Sequence, residues 1–213
     1  MKYLFTLAAV AIILFLLVPN YLKLKNVNKT ASIILKACGT LIALIFAILG
    51  HLQNSGNGSL YIVIAIAFGM IGDILLEYNI PLGGISFFLG NLLYVLLLFL
   101  DSHQNISFLL ILASILFFLY SVFQTYIKSL GKAKLLLIPY ALLVSSMAAA
   151  SIPFLIQNAP HRLLFGFGTF IFAVSDYLLA YRVVTNAESS FHQTSLSVYY
   201  LAQLMIGLSV YLS

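Results

Sequence analysis

The chain is divided into apolar runs that are each long enough to cross a lipid bilayer, and the gaps between them are too short to hold a soluble domain. A helix needs about 17–25 mostly apolar residues to span the hydrocarbon. Eight runs qualify, at roughly 3–19, 30–51, 59–78, 82–100, 106–126, 135–157, 162–182 and 193–212. The breakers and charges collect between them, in Pro19–Lys29, Asn54–Gly58, Asn79–Gly84, Asp101–Asn105, Lys128–Lys134, Gln157–His161 and Val183–His192. No run shows the period-two alternation of a transmembrane barrel. The expected fold is therefore all-α: a polytopic transmembrane bundle of about eight helices, one integral membrane domain over 1–213. Composition agrees. Charged residues make up 7% and hydrophobic ones 63%, whereas soluble domains carry about 25% charged residues. A soluble core of this size could not hide that much apolar surface, so the excess faces lipid.

The net charge of +5 does not point to nucleic acid, because the basic residues lie in short gaps and form neither one face nor a tail. They read as topology signals. With an even number of spans both termini share a side, which carries Lys2 and Arg162. The other side carries Lys23, Lys25, Lys29, Lys128, Lys132, Lys134 and Arg182. The positive-inside rule then puts both termini outside and the lysine-rich loops in the cytoplasm, across the inner or plasma membrane if the source is bacterial. Lys2 and the run Tyr3–Val18 resemble a signal peptide. No small-x-small cleavage site follows, and Val18-Pro19-Asn20 leads into lysines, so the run is read as a retained first helix. The one cysteine, Cys38, sits inside an apolar run and reads as a buried structural thiol.

An internal echo points to a 4+4 arrangement. Helix three ends in Gly72-Asp73-Ile74-Leu75-Leu76-Glu77-Tyr78, and helix seven carries Ser175-Asp176-Tyr177-Leu178-Leu179-Ala180-Tyr181. Helices four spans apart run in the same direction, so this would be a parallel repeat.

Ionisable groups inside hydrocarbon are costly and are functional suspects by default. Three stand out: Lys36 in helix two, Asp73 in helix three and Asp176 in helix seven. Each lies about five or six residues from the same membrane boundary, a depth of about 8–9 Å at helical rise. That agreement suggests one polar site in the cytoplasmic half of the bundle. Tyr140, Tyr199 and Tyr200 reach a similar depth, and Asn91, Tyr94 and Gln203 lie nearer the midplane. These are also the residue types that hold helices together by hydrogen bonds. Lys36 has a stem long enough to snorkel to the headgroups. The aspartates do not, and a structural pairing with Lys36 is their alternative role. Glu77, one turn after Asp73, and Arg182 read as interface anchors; Tyr78, Tyr181 and Tyr211 read as aromatic-belt residues. His51, His103, His161 and His192 fall at or near loops without metal-ligand spacing, so no metal is expected.

Several chemistries are excluded by motif. The chain has no Gly-x-Ser-x-Gly elbow, no His-Glu-x-x-His and no phosphate-cradling glycine loop. The Gly-x-Gly-Asp of intramembrane aspartyl proteases fails at Met70. What remains is two membrane aspartates and a lysine, a set that serves acid/base hydrolysis or proton-coupled transport.

These residues resemble the YhhN family of eight-span membrane proteins. The resemblance rests on Gly72-Asp73-x-Leu75-Leu76, on Phe88-Leu89-Gly90-Asn91-Leu92-Leu93-Tyr94, on Pro139-Tyr140, on Ser175-Asp176-x-Leu178-Leu179-Ala180, on Tyr199-Tyr200-x-x-Gln203 and on Lys36. Where family members commonly carry His after the helix-four glycine, this chain has Asn91. The resemblance implies a lysoplasmalogenase: hydrolysis of the vinyl ether of a lysophospholipid taken from the membrane, giving a fatty aldehyde and glycerophospho-ethanolamine or -choline. Acid hydrolysis of a vinyl ether needs one protonated carboxyl and one carboxylate, as in glycosidases that pass through an oxocarbenium-like state. Asp73 and Asp176 are the expected pair. Lys36 would keep one ionised or bind the lipid phosphate. Asn91, Tyr94, Tyr140, Tyr199, Tyr200 and Gln203 would position substrate or water. Neither metal nor organic cofactor is required, and no protein partner is inferred. The rival class is a small proton-coupled transporter or lipid flippase using the same aspartates. Few Gly or Pro fall at mid-span, where transporters break their helices, which favours the enzyme.

Overall fold

A computed structural model describes residues 2–101, 106–127, 134–185 and 189–213. Lys128 and Lys132 of the lysine-rich loop and His103 lie outside the described residues. Among the described residues the chain forms eight helices. Helix α1 runs from Lys2 to Leu24, as Lys2–Ala11, a π-helical turn Ile12–Leu17 and Val18–Leu24. Then come α2 (Lys29–Gln53), α3 (Asn57–Leu76), α4 (Ile80–Asp101) and α5 (Ile106–Ile127). Helix α6 is Lys134–Ser151, continued by a 3-10 turn Ile152–Ile156, and it is followed by α7 (Pro160–Thr185) and α8 (Ser189–Tyr211).

Proline sets the irregular stretches. The first helix was expected to stop at residue 19, yet it continues to Leu24. Pro19 cannot donate to a regular helix and crowds the turn before it. Here a wide π turn ends at Leu17, and Pro19 falls in the first turn of a new α segment that begins at Val18, which is one way a helix carries a proline without ending. Pro153 instead tightens the end of α6 into a 3-10 turn. Asn28 caps α2, accepting from the amide of Ala31 at 3.0 Å, as an N-cap does.

Six of the helices are long and apolar enough to cross a membrane, which makes this a multi-pass membrane protein. Helix α5 contributes a shorter apolar stretch, Ile111–Tyr120. Helix α8 is more polar because its polar face turns inward: it packs against α1, α2, α3 and α7. Small residues let the helices approach. A Cβ on Gly207 would run into the backbone of Ala43, one on Gly50 into that of Val210, and one on Gly39 into the ring of Tyr200.

The packing repeats itself across the two halves of the chain. Helix α1 packs on α2 as α5 packs on α6; α2 on α3 as α6 on α7; α3 on α4 as α7 on α8; and α2 on α8 as α6 on α4. Exchanging α1–α4 with α5–α8 preserves all these neighbours, and the two echo aspartates sit on the exchanged helices α3 and α7.

Candidate functional site

Asp73 lies near the end of α3 with only 2% of its surface exposed, and Asp176, on α7, has 7% exposed. Each is held by two donors from two other helices. Asp73 Oδ2 accepts from Thr40 Oγ1 on α2 and from Tyr199 Oη on α8, at 2.5 and 2.9 Å. Asp176 Oδ2 accepts from Tyr140 Oη on α6 and from Asn91 Nδ2 on α4, at 2.6 and 3.2 Å. In both carboxyls Oδ2 takes all of these bonds, and among the described residues Oδ1 takes none. The two groups are near enough for the charge of Asp73 to act on Asp176.

The space between the two nests is spanned by aromatic and amide groups. Tyr94 on α4 donates to Gln203 Oε1 on α8 at 3.2 Å, and Gln203 Nε2 donates in turn to Tyr199 Oη at 3.5 Å. Phe172, one turn before Asp176, meets the rings of Tyr94 and Tyr199 edge-on at 6.0 and 5.5 Å. Gly69 makes the room: a Cβ there would lie 2.8 Å from Gln203 Nε2 and 3.4 Å from Tyr199 Oη. Asn91 also approaches Tyr140 Oη at 3.3 Å. Its Oδ1 is buried with no partner among the described residues.

Lys36 takes neither of the two structural roles that stood as alternatives for it and the aspartates. It neither snorkels nor pairs with an aspartate: it is 6% exposed and forms an ion pair with Glu77 Oε1 at 2.9 Å. Its charge still acts on Asp73. Glu77 is thus a partner within the site rather than an interface anchor, and it also accepts from Tyr21 Oη of α1 at 2.9 Å. An apolar surrounding explains the pairing, since a buried ammonium and a nearby carboxylate each lose less solvation free energy together than apart. Tyr200 donates to the Lys36 carbonyl at 2.8 Å rather than to either carboxyl, which ties α8 to α2.

All nine residues singled out from the sequence are buried or half-buried and fall into three hydrogen-bonded groups, around Asp73, around Asp176 and around Lys36. Three more residues belong to these groups. Thr40 was missed, although it lies one turn after Lys36 on the same face. Glu77 stood one turn after Asp73 but was read for its position at a span end. Tyr21 gave no signal, because the first span was expected to finish before it. Among the described residues no three of His, Cys, Asp and Glu are grouped as metal ligands.

Neither a curated protein nor a solved structure matches this chain. A family model does, over residues 31–210. That stretch takes in Lys36, both aspartates and every donor that holds them, leaving outside only Tyr21 among the residues of the site. The chain belongs to the YhhN family.

Proposed function

We propose that this chain is a membrane-embedded hydrolase that cleaves the vinyl ether of a lysoplasmalogen, with Asp73 and Asp176 as its acid/base pair. The observation that carries the reading is the shared construction of the two carboxyls. Both are buried, they lie within electrostatic reach of each other, and each has one oxygen fixed by two donors and the other, among the described residues, without a hydrogen bond. Preorganised groups of this kind act by facing charge that develops during reaction. Membership of the family supports the same reading.

The chemistry has two stages. The protonated carboxyl gives its proton to the β-carbon of the double bond, and the adjacent carbon becomes an oxocarbenium ion. The other carboxylate faces that cation and takes a proton from the water that adds to it. The hemiacetal then collapses: the bond to the glycerol oxygen breaks, that oxygen takes the proton the second carboxyl had drawn from water, the hemiacetal hydroxyl gives its proton back to the first carboxyl, and the aldehyde departs with both groups restored. The carboxylate that must carry charge belongs beside the cation, which favours Asp73, on the Lys36 side. Asp176 stands on α7, away from the ion pair of Lys36 and Glu77, and is assigned as the proton donor. The unpartnered Oδ1 of Asn91 supports a bound water next to Asp176, because a buried acceptor without a donor calls for one. A lysolipid would enter from the leaflet on the lysine-rich side, which the positive-inside rule makes cytoplasmic, with both termini opposite.

The test is aldehyde release by purified protein given lysoplasmalogen, alongside the matching acyl lysolipid. Aldehyde from the vinyl ether alone supports the reading. Folded protein that cleaves neither lipid overturns it and turns attention to proton-coupled lipid movement in vesicles, where the same aspartates would carry the proton.

A further inference from the structure

Apart from the two nests, the strongest unexplained feature is the ion pair of Lys36 and Glu77. Charges inside an apolar bundle are costly to desolvate, and apolar residues of the same size would serve packing as well or better. The pair is also incompletely closed. Glu77 Oε1 takes both the Lys36 ammonium and the Tyr21 hydroxyl, each at 2.9 Å. Glu77 Oε2 takes no hydrogen bond among the described residues, and the two side chains keep 7% and 14% of their surface exposed. The Tyr21 ring lies 6.0 Å from Lys36 Nζ and 5.8 Å from Lys25 Nζ. His192 packs on that same ring at 5.7 Å, and its Nε2 is buried without a partner among the described residues.

Resting on the reading of the chain as a lysolipid hydrolase, we infer that Lys36, Glu77 and Tyr21 form a headgroup site selective for zwitterionic phosphoamine lipids. The phosphate displaces Glu77 from Lys36, and the amine of the same headgroup takes Glu77, so that neither buried charge is ever left bare. A quaternary amine gains further from the face of Tyr21, since aromatic faces attract such cations. A headgroup with a phosphate but no amine takes Lys36 and strands Glu77, an arrangement that buried carboxylates penalise. The placement also suits the reaction. Glu77 stands one turn, about 6 Å, beyond Asp73 along α3, and in a lysolipid only the three-carbon glycerol separates the ether oxygen from the phosphate.

The experiment measures binding without turnover. Wild-type protein in detergent is titrated with 1-alkyl lysolipids, which lack the double bond, carrying phosphoethanolamine, phosphocholine or phosphoglycerol headgroups. The two amine headgroups are expected to bind about tenfold more tightly than phosphoglycerol. Glu77→Gln is expected to bring that ratio to about one, and Lys36→Met to weaken all three. Equal wild-type affinities, or a preference that persists in Glu77→Gln, overturns the site. Tyr21→Leu leaves both charges in place and is expected to weaken phosphocholine about fivefold; unchanged binding there overturns the site even if Glu77→Gln does not fold. Binding selectivity and aldehyde release fail separately. Aldehyde release without headgroup preference refutes the headgroup site alone, and headgroup preference without aldehyde release refutes the hydrolase alone.

Discussion

Asp73 takes its two hydrogen bonds from α2 and α8, and Asp176 takes its two from α6 and α4. Exchanging the two halves of the chain turns one set of helices into the other, so the two nests are built on corresponding helices. Their donors are not equivalent residues: α2 supplies Thr40 where α6 supplies Tyr140, and α8 supplies Tyr199 where α4 supplies Asn91. Their electrical settings differ too. Lys36 acts on Asp73, while no basic group among the described residues acts on Asp176. A repeat supplies two carboxyls with matching support. In the proposed reaction one must carry charge and the other a proton, and the difference around them is the separation of environments that two-carboxyl catalysis requires.

The largest expected effect is on the carboxyls themselves. Asp73→Asn and Asp176→Asn keep size and hydrogen bonding but remove acid/base capacity, so each should lower aldehyde release by about a thousandfold or more, in the range of general acid–base losses. Size-exclusion profiles should stay unchanged. If one variant retained activity within a few-fold, the comparison would break: that nest would be a packing feature, and the chemistry would belong to the other.

This comparison was partly legible in the sequence. Hydrophobic runs longer than a soluble helix needs gave the helix number and order, because burial in lipid leaves no other place for them. The carboxyls and Lys36 stood out because charge is rare in such runs. The echo around Asp73 and Asp176 pointed to the two exchanged helices. The partners were harder to read. Glu77 and Lys36 meet across α3 and α2, and nothing in either run says which side of its helix faces the other. Thr40 looks like any small polar residue until Asp73 is placed opposite it. Tyr21 was obscured by Pro19, which usually ends a helix but here follows a π turn and lets α1 continue. The inward polar face of α8 made that helix the least apolar-looking span, although Ala202, Gln203, Leu204 and Ile206 are among the most buried residues.

A smaller pair of changes sharpens the difference between the nests. Tyr140→Phe and Tyr199→Phe each delete one hydroxyl donor. After Tyr199→Phe, Asp73 keeps Thr40 and the field of Lys36. After Tyr140→Phe, Asp176 keeps only the longer bond from Asn91, at 3.2 Å. Tyr140→Phe should therefore lose about a hundredfold in kcat/KM and Tyr199→Phe about tenfold, within the range for single preorganised donors. Equal losses would mean that the cation does not compensate at Asp73 and that the two settings are electrically alike in function.

The smallest expected effect comes from Gly69→Ala, which touches only the Asp73 side. The new methyl would press on Gln203 Nε2 and come near Tyr199 Oη. The amide end of Gln203 can swing away, but doing so strains its bond from Tyr94 and nudges the Tyr199 hydroxyl that holds Asp73. Overpacking of a well-filled interior costs about 1–3 kcal/mol, and here the yielding group is the tip of a flexible side chain, so the lower end is expected. Activity should fall about threefold to tenfold, in proportion to the mispositioning of one donor. Replacing Gln203 with Ala in the same chain vacates the space the methyl enters. If Gly69→Ala acts by displacing Gln203, adding it to Gln203→Ala should cost almost nothing further in activity. A full second loss in the double variant would mean that the methyl pushes on Tyr199 directly, and that Gly69 is kept small for the Asp73 nest itself rather than for the amide that links it to α4.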